Sequence, residues 1–326
     1  MENTILLDLI QKNNAYAVYT ASAFVTKRTL EIDRTIPLLI YNISHALCAS
    51  VKTKLISLYG ENKTVSIIDN GNTVLNISLE KINSFDEVLI SGSSFINRSR
   101  HSFGDMLEVM RQLRDPDGCP WDKAQTHESI RQNLLEEAYE LAEAIDLHDG
   151  NKMLEESGDV LLQPVFHALI SEASNEFTVD DMLSALVHKL ITRHTHIFGK
   201  NKAANAEEAL IFWEKAKTAE KGTTLTSQKA RSIPATLPAL MRAEKLIHIC
   251  NKINILSQIT SSERPKPDIV DTDSSDTSSM YARKLFDLLT LAVQHNIDME
   301  HSLNALIDNY CDKIYEWENA ESDKTE

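Results

Sequence analysis

The sequence predicts a mainly α protein: a helical bundle preceded by a small α/β region and followed by a further helical region. Three observations lead there. Residues 102–221 hold almost no strand signal and divide into five amphipathic helices. Short β-branched runs around a turn signal are confined to the first hundred residues. A Ser/Asp/Pro-rich stretch, Ser261 to Ser279, separates the last helices from the rest.

The elements follow in order. Ser44 to Tyr59 reads as a helix, and Val65 to Ile68 and Val74 to Ile77 read as a hairpin about Asp69-Asn70-Gly71-Asn72. The first helix of the bundle spans about Phe103 to Arg114, with Phe103, Met106, Leu107, Met110 and Leu113 on one face. The loop Asp115 to Asp122 breaks it. The second helix starts near His127 and ends at Asp146, with the seam Ile130, Leu134, Ala138, Leu141, Ile145. His148-Asp149-Gly150 turns the chain into a third helix, Lys152 to about Ser171. Thr178-Val179-Asp180-Asp181 and Asn205-Ala206-Glu207-Glu208 have the pattern of N-caps and open the fourth and fifth. Helices around Leu237 to Ile253, Tyr281 to His295 and Met299 to Asn319 complete the chain. The boundaries expected are 1–100, 101–222 and 223–326.

Composition narrows the function. The chain has 326 residues, 42% hydrophobic and 25% charged, enough for two or three ordinary globular domains. The first hundred residues carry ten Lys/Arg against nine Asp/Glu, so of the net −15 the remainder holds −16 and the first hundred +1. An acidic body repels polyphosphate backbones, which excludes nucleic-acid binding through a basic face and requires a divalent cation for any small anionic substrate. The longest apolar runs, such as Ile36 to Tyr41, fall short of a membrane span, and Met1-Glu2-Asn3 lacks the basic start of a secretory signal. A cytoplasmic protein is expected. Cys48, Cys119, Cys250 and Cys311 form no CxxC pair and are expected to be free thiols.

The chemistry is carried by carboxylates. The second helix contains Glu136-Glu137-Ala138-Tyr139-Glu140 and the third Glu155-Glu156-Ser157-Gly158-Asp159. Residues three apart share a helical face, so Glu137 with Glu140 and Glu156 with Asp159 project as pairs. With the turn between His148 and Asp149, the cross-helix pairs Glu140/Glu156 and Glu137/Asp159 are level to within about 1.5 Å in an antiparallel hairpin. Four converging acids repel, and an all-oxygen carboxylate set suits Mg²⁺, with Mn²⁺ as a substitute. A merely solvated acidic face is the competing reading. On the third helix Leu154, Leu161, Val165 and Leu169 point away from the acids and need a further partner, which suggests a homodimer.

Gly118-Cys119-Pro120-Trp121-Asp122-Lys123-x-Gln125-Thr126, Leu135-Glu136-Glu137-x-x-Glu140, Glu155-Glu156-x-Gly158-Asp159, Arg193-His194-x-His196-Ile197-Phe198 and Trp213-Glu214-x-x-Lys217 together resemble the MazG nucleotide pyrophosphohydrolase family. The resemblance implies an all-α MazG-type bundle and Mg²⁺-dependent hydrolysis of nucleoside triphosphates to monophosphate and pyrophosphate, a housekeeping activity on the nucleotide pool. It implies metal ligation by Glu137, Glu140, Glu156 and Asp159, with Glu136 serving the attacking water. Lys189, Arg193 and Lys217 are candidate phosphate contacts, and Trp121, Lys123 and Trp213 candidate nucleoside contacts. Thr195 replaces the usual Pro of an RHPH segment, and Pro164 predicts a kink beyond Asp159. His194 and His196, two apart, point to different sides of a helix and do not suggest zinc. Ile233-Pro234-x-x-Leu237-Pro238-Ala239-Leu240-Met241-Arg242-Ala243-x-Lys245 resembles the start of a second, degenerate MazG repeat, in which Arg283 falls where an acid belongs. Ile36 to Tyr41 and Lys52 to Tyr59 resemble part of a tetrapyrrole methylase domain without its glycine-rich segment. The alternative to an enzyme is a nucleotide-sensing or protein-interaction scaffold.

Overall fold

The computed structural model describes residues 15–69, 71–221, 226–256 and 274–322. Met1 to Asn3, Asn70 of the hairpin turn and residues 261–273 of the Ser/Asp/Pro-rich stretch lie outside these. The fold is mainly α, with one small sheet near the N-terminus, and the chain divides into two compact units, Met1–Ala185 and Leu186–Glu326.

In the first unit, β1 (Ala17–Thr20), α1 (Ala21–Thr26), β2 (Leu38–Tyr41), α2 (His45–Tyr59), β3 (Thr64–Asp69), β4 (Asn72–Ser78) and β5 (Glu87–Ile90) build a mixed sheet in the order β1-β2-β5-β3-β4. β1 and β2 are parallel, and the remaining pairs are antiparallel. Alternation sorts the side chains: Leu38, Ile40, Val65, Ile67, Val88 and Ile90 join Val51 and Leu55 of α2 in one core, while Leu39 and Leu89 meet on the other face. The expected hairpin is present, with Asp69 opposite Asn72 and Gly71 at φ +78°, a conformation that favours glycine.

Next come α3 (Phe103–Arg114), α4 (Pro120–Ala124), α5 (Arg131–Asp146), α6 (Gly150–Ala173) and α7 (Val179–Arg193), the last crossing the unit boundary. α3 begins with a capping box, in which Ser102 and Asp105 satisfy each other's backbone N–H. Buried Arg98 ion-pairs with Asp105, and Arg34 approaches it at 4.0 Å. The loop to α4 folds back on α3: the Cys119 N–H donates to the Leu113 carbonyl at 2.8 Å. A Cβ on Gly118 would lie 2.3 Å from the Gln112 carbonyl oxygen, so only glycine fits there. Helix α5 starts at Arg131 rather than His127, because Thr126 to Ile130 is spent on a turn closed by Thr126–Ser129 hydrogen bonds. Helix α6 starts two residues early, because Asp149 caps it by accepting from Asn151 and Lys152 N–H. It runs uninterrupted through Pro164 to Ala173. The Thr178/Asp181 capping box of α7 forms as expected.

The core of this bundle joins Met110 of α3, Ile130, Val179 and, on α6, Val165, Phe166, Ala168 and Leu169. A polar network borders it. His127 and His167 face each other with Nδ1 atoms 2.7 Å apart, so one ring nitrogen donates and the other accepts. His127 Nε2 lies 3.2 Å from the hydroxyl of buried Ser171, which in turn donates to Glu176 at 3.4 Å.

The second unit contains α8 (Thr195–Phe198), α9 (Ala206–Lys221), α10 (Thr226–Arg231), α11 (Ala239–Asn251), α12 (Ser274–Gln294) and α13 (Met299–Ser322). Asn205 caps α9, its side chain accepting from the Glu208 N–H at 2.9 Å. Ile247 of α11 packs on Leu289 and Val293 of α12. α12 begins at Ser274, inside the stretch read as linker, since a Ser-Ser-Asp start suits a helix N-terminus as well as it suits a loop. Among the described residues no helix is long and apolar enough to cross a membrane. All four cysteines are free.

Two predictions follow from this packing. Burial pushes the Asp105 carboxyl up, but hydrogen bonds from the Ser102 backbone and hydroxyl and the charge of Arg98 outweigh it and hold the group below its ordinary value. A depressed carboxylate stabilises the fold above its unfolded pKa and loses that contribution as pH falls through its folded value. Asp105→Asn should therefore cost about 1–3 kcal/mol in urea unfolding at pH 7 and much less at pH 3; an equal cost at both would exclude the charged cap. His167 is held below the usual histidine value by burial and by His127. Below about pH 6.5 the unfolded chain then takes up protons that the folded protein resists, so stability falls with acidity. The melting temperature should drop more steeply between pH 7 and pH 5 in the wild type than in His167→Gln, and matching slopes would contradict this.

Candidate metal centre

The hairpin of α5 and α6 places the site. Glu137 projects from α5, Glu156 and Asp159 from α6, and one carboxylate oxygen from each lies within 4.8 Å of the others. Of the four acids expected to converge, these three make the cluster. Glu140, one turn along α5, stands beside it and acts electrostatically on Glu137 and Glu156. Glu156 is buried, 8% exposed. Burial first, then the charges of Asp159, Glu140 and Glu156, push the Glu137 carboxyl above its ordinary value. Burial, followed by the charges of Glu140, Glu155 and Asp159, raises Glu156, while Lys152 acts in the opposite sense. The protein thus gathers acids without supplying equal positive charge. An all-oxygen donor set carrying unrelieved negative charge fits a hard divalent cation.

Glu143, one turn beyond Glu140, is not a bystander. It ion-pairs with Lys152 across the mouth of the hairpin, and Lys152 in turn acts on Glu156. Glu136 is exposed and accepts from Gln132 at 3.4 Å. Trp121 is 60% exposed, and Lys123 beside it donates to the Pro116 carbonyl. In the second unit, Lys189 is exposed, whereas Arg193 is buried and pairs with Glu220 through two nitrogens at 2.8 and 3.2 Å. Arg193 and Lys217 lie over the Trp213 ring, 5.5 and 4.5 Å from its centroid. The rings of His194 and His196 are 5.7 Å apart, and among the described residues they join no metal-ligating cluster.

One feature of α6 escaped the sequence reading. Glu156, Asp159, Gln163, His167 and Ser171 recur at helical spacing and form a polar stripe, of which Glu156, Gln163 and Ser171 are buried. The signal was available as polar residues at i, i+3, i+7, i+11 and i+15, a pattern masked by the apolar residues between them.

The chain is 47% identical over 146 residues to the uncharacterized protein YabN of Bacillus subtilis, covering 45% of this chain and 30% of that protein. It is 43% identical over 144 residues to the nucleoside triphosphate pyrophosphohydrolase/pyrophosphatase MazG of Thermotoga maritima, covering 44% and 54%. A solved structure, the mazG-related protein from Thermotoga maritima, aligns with a TM-score of 0.31 at 26% identity over 35% of this chain and 96% of that one. The chain spans about half the length of the curated relatives it matches, or less. Residues 125–198, which contain Glu137, Glu140, Glu156 and Asp159, match the MazG nucleotide pyrophosphohydrolase domain.

Proposed function

We propose that this protein hydrolyses nucleoside triphosphates to nucleoside monophosphate and pyrophosphate with Mg²⁺, or Mn²⁺ in its place, as nucleotide-pool housekeeping. The observation that carries the reading is the convergence of Glu137, Glu156 and Asp159 oxygens within 4.8 Å on two helices, inside the segment that matches the pyrophosphohydrolase domain. Glu137, Glu156 and Asp159 hold the cation and Glu140 completes the set. Bound there, Mg²⁺ supplies positive charge to the triphosphate oxygens and to the departing pyrophosphate. In the reaction a water oxygen bonds to the α-phosphorus as the bond to the bridging β-phosphate oxygen breaks. Glu136, about 100° around α5 from Glu137, takes the water's proton on its carboxylate. Trp121 offers an open indole face for a base and Lys123 a charge beside it, whereas the Trp213 ring is already covered by Arg193 and Lys217. The family resemblance offers Lys189, Arg193 and Lys217 as phosphate contacts, and Arg193 is engaged by Glu220.

A second copy of the chain is proposed to cover Leu154 and Leu161 of α6, 77% and 45% exposed, whereas Val165 and Leu169 of the same seam pack within the bundle. Residues 1–100 are read as a methylase-like remnant and 223–326 as a degenerate repeat without a metal.

The test is turnover of nucleoside triphosphates in ¹⁸O water with and without Mg²⁺. Label should enter the monophosphate, and pyrophosphate should appear only with the cation; orthophosphate and diphosphate products would sink the mechanism. Glu156→Gln and Asp159→Asn should each lower turnover by about 100-fold or more and weaken Mg²⁺ binding, with an unchanged or raised melting temperature in EDTA. Glu108→Gln, on α3 and outside the acidic cluster, is the silent control. Intact Mg²⁺ and nucleotide binding without turnover in the wild type would leave the nucleotide-sensing scaffold.

A further inference from the structure

Gln163 is 6% exposed, and among the described residues its buried Oε1 has no hydrogen-bond partner. A buried amide oxygen left unpaired is costly, so a ligand that supplies the missing donor is strongly favoured there. Its position says which ligand. On an ideal helix Glu156, Asp159 and Gln163 fall within about 60° of arc, and Gln163 stands one turn, about 6 Å, beyond Asp159. Gln163 therefore belongs to the metal-binding face of α6, on the side away from the hairpin turn.

At neutral pH a triphosphate presents acceptors throughout its phosphate chain, and an amide oxygen cannot bond to them. The donors of a nucleotide are the hydroxyls of its sugar and the N–H groups of its base. We propose that Gln163 is a specificity-determining residue that reads the nucleoside, its Oε1 accepting a hydrogen bond from the sugar 2′-O–H or a base N–H while the phosphates lie at the carboxylates. This rests on the function proposed above and adds to it the direction in which the nucleotide lies: phosphates toward the turn, nucleoside along the α6 stripe toward His167. A site whose buried acceptor must be matched rejects an analogue lacking the donor, whereas an apolar wall does not.

The experiment compares wild type with Gln163→Leu and Gln163→Met, two apolar residues of similar volume, on ATP, GTP, CTP, UTP, ITP and their 2′-deoxy forms in the presence of Mg²⁺. For substrates carrying the donor, kcat/KM should fall about 10- to 100-fold, and those lacking it should be spared. If the donor is the sugar hydroxyl, the ribo/deoxy ratio collapses and base preference survives; if it is a base N–H, base preference collapses and the ribo/deoxy ratio survives. Mg²⁺ binding measured without nucleotide should not change, and the metal-free melting temperature should be equal or higher, since an unsatisfied polar group has been removed. A uniform loss across the panel would overturn the proposal by assigning Gln163 to the metal's water or the phosphates, and so would unchanged kinetics. Wild type inert on the whole panel would refute the proposed hydrolysis instead. Gln163 would then be judged on binding of α,β-methylene nucleotides, where equal affinities of wild type and both variants would refute its role.

Discussion

Repulsion among the Glu137, Glu156 and Asp159 carboxylates sets the terms for the rest of the hairpin. Helices that bring three acids within 4.8 Å must be held by contacts made elsewhere. Those contacts lie at both ends. At the turn, His148 takes a left-handed φ of 54°, Asp149 caps α6, and Lys152 reaches across to Glu143. Two to three turns away, Val165, Phe166 and Leu169 of α6 pack with Met110 and Ile130. Acid and core are thus separated along one helix, so the site can be charged without any carboxylate intruding on the apolar cluster. A cation then relieves a strain that the fold tolerates without it.

The same separation explains the stripe of α6. A helix facing its neighbour in an ordinary bundle shows leucines at those positions. Here the face toward α5 carries Glu156, Asp159, Gln163, His167 and Ser171, and the polar groups at its far end satisfy one another through His127 and Glu176. Gln163 stands between the acids and this network and belongs to neither, which is why its unpaired oxygen is informative.

Much of this was legible in the sequence because local rules govern it. Capping residues located the starts of α7 and α9, the Asn-Gly turn located the β3–β4 hairpin, and residue counting from His148 brought Glu137 level with Asp159. What escaped depends on contacts remote in sequence. Nothing near His127 announces its pairing with His167, forty residues on, and Glu143 reads as a solvent-facing acid until Lys152 lies opposite. The polar start of α12 carries the same composition as a linker, so composition placed the boundary too late. Arg193 shows the converse: a cation suited to a phosphate is in this structure taken up by Glu220 and Trp213.

The Arg98–Asp105 pair crosses the point where sequence character changes most abruptly. By composition the α/β region ends near residue 100, and a catalytic module would begin at Ser102. Physically the seam is stitched, because the cap that starts α3 is gripped by Arg98 and approached by Arg34 from between the first two strands, and Arg34 also donates to the Arg100 carbonyl. A gene truncated at the compositional boundary keeps every acid of the hairpin yet frays the helix whose Met110 supports it. The α/β region therefore acts as an anchor for the bundle through Arg34 and Arg98.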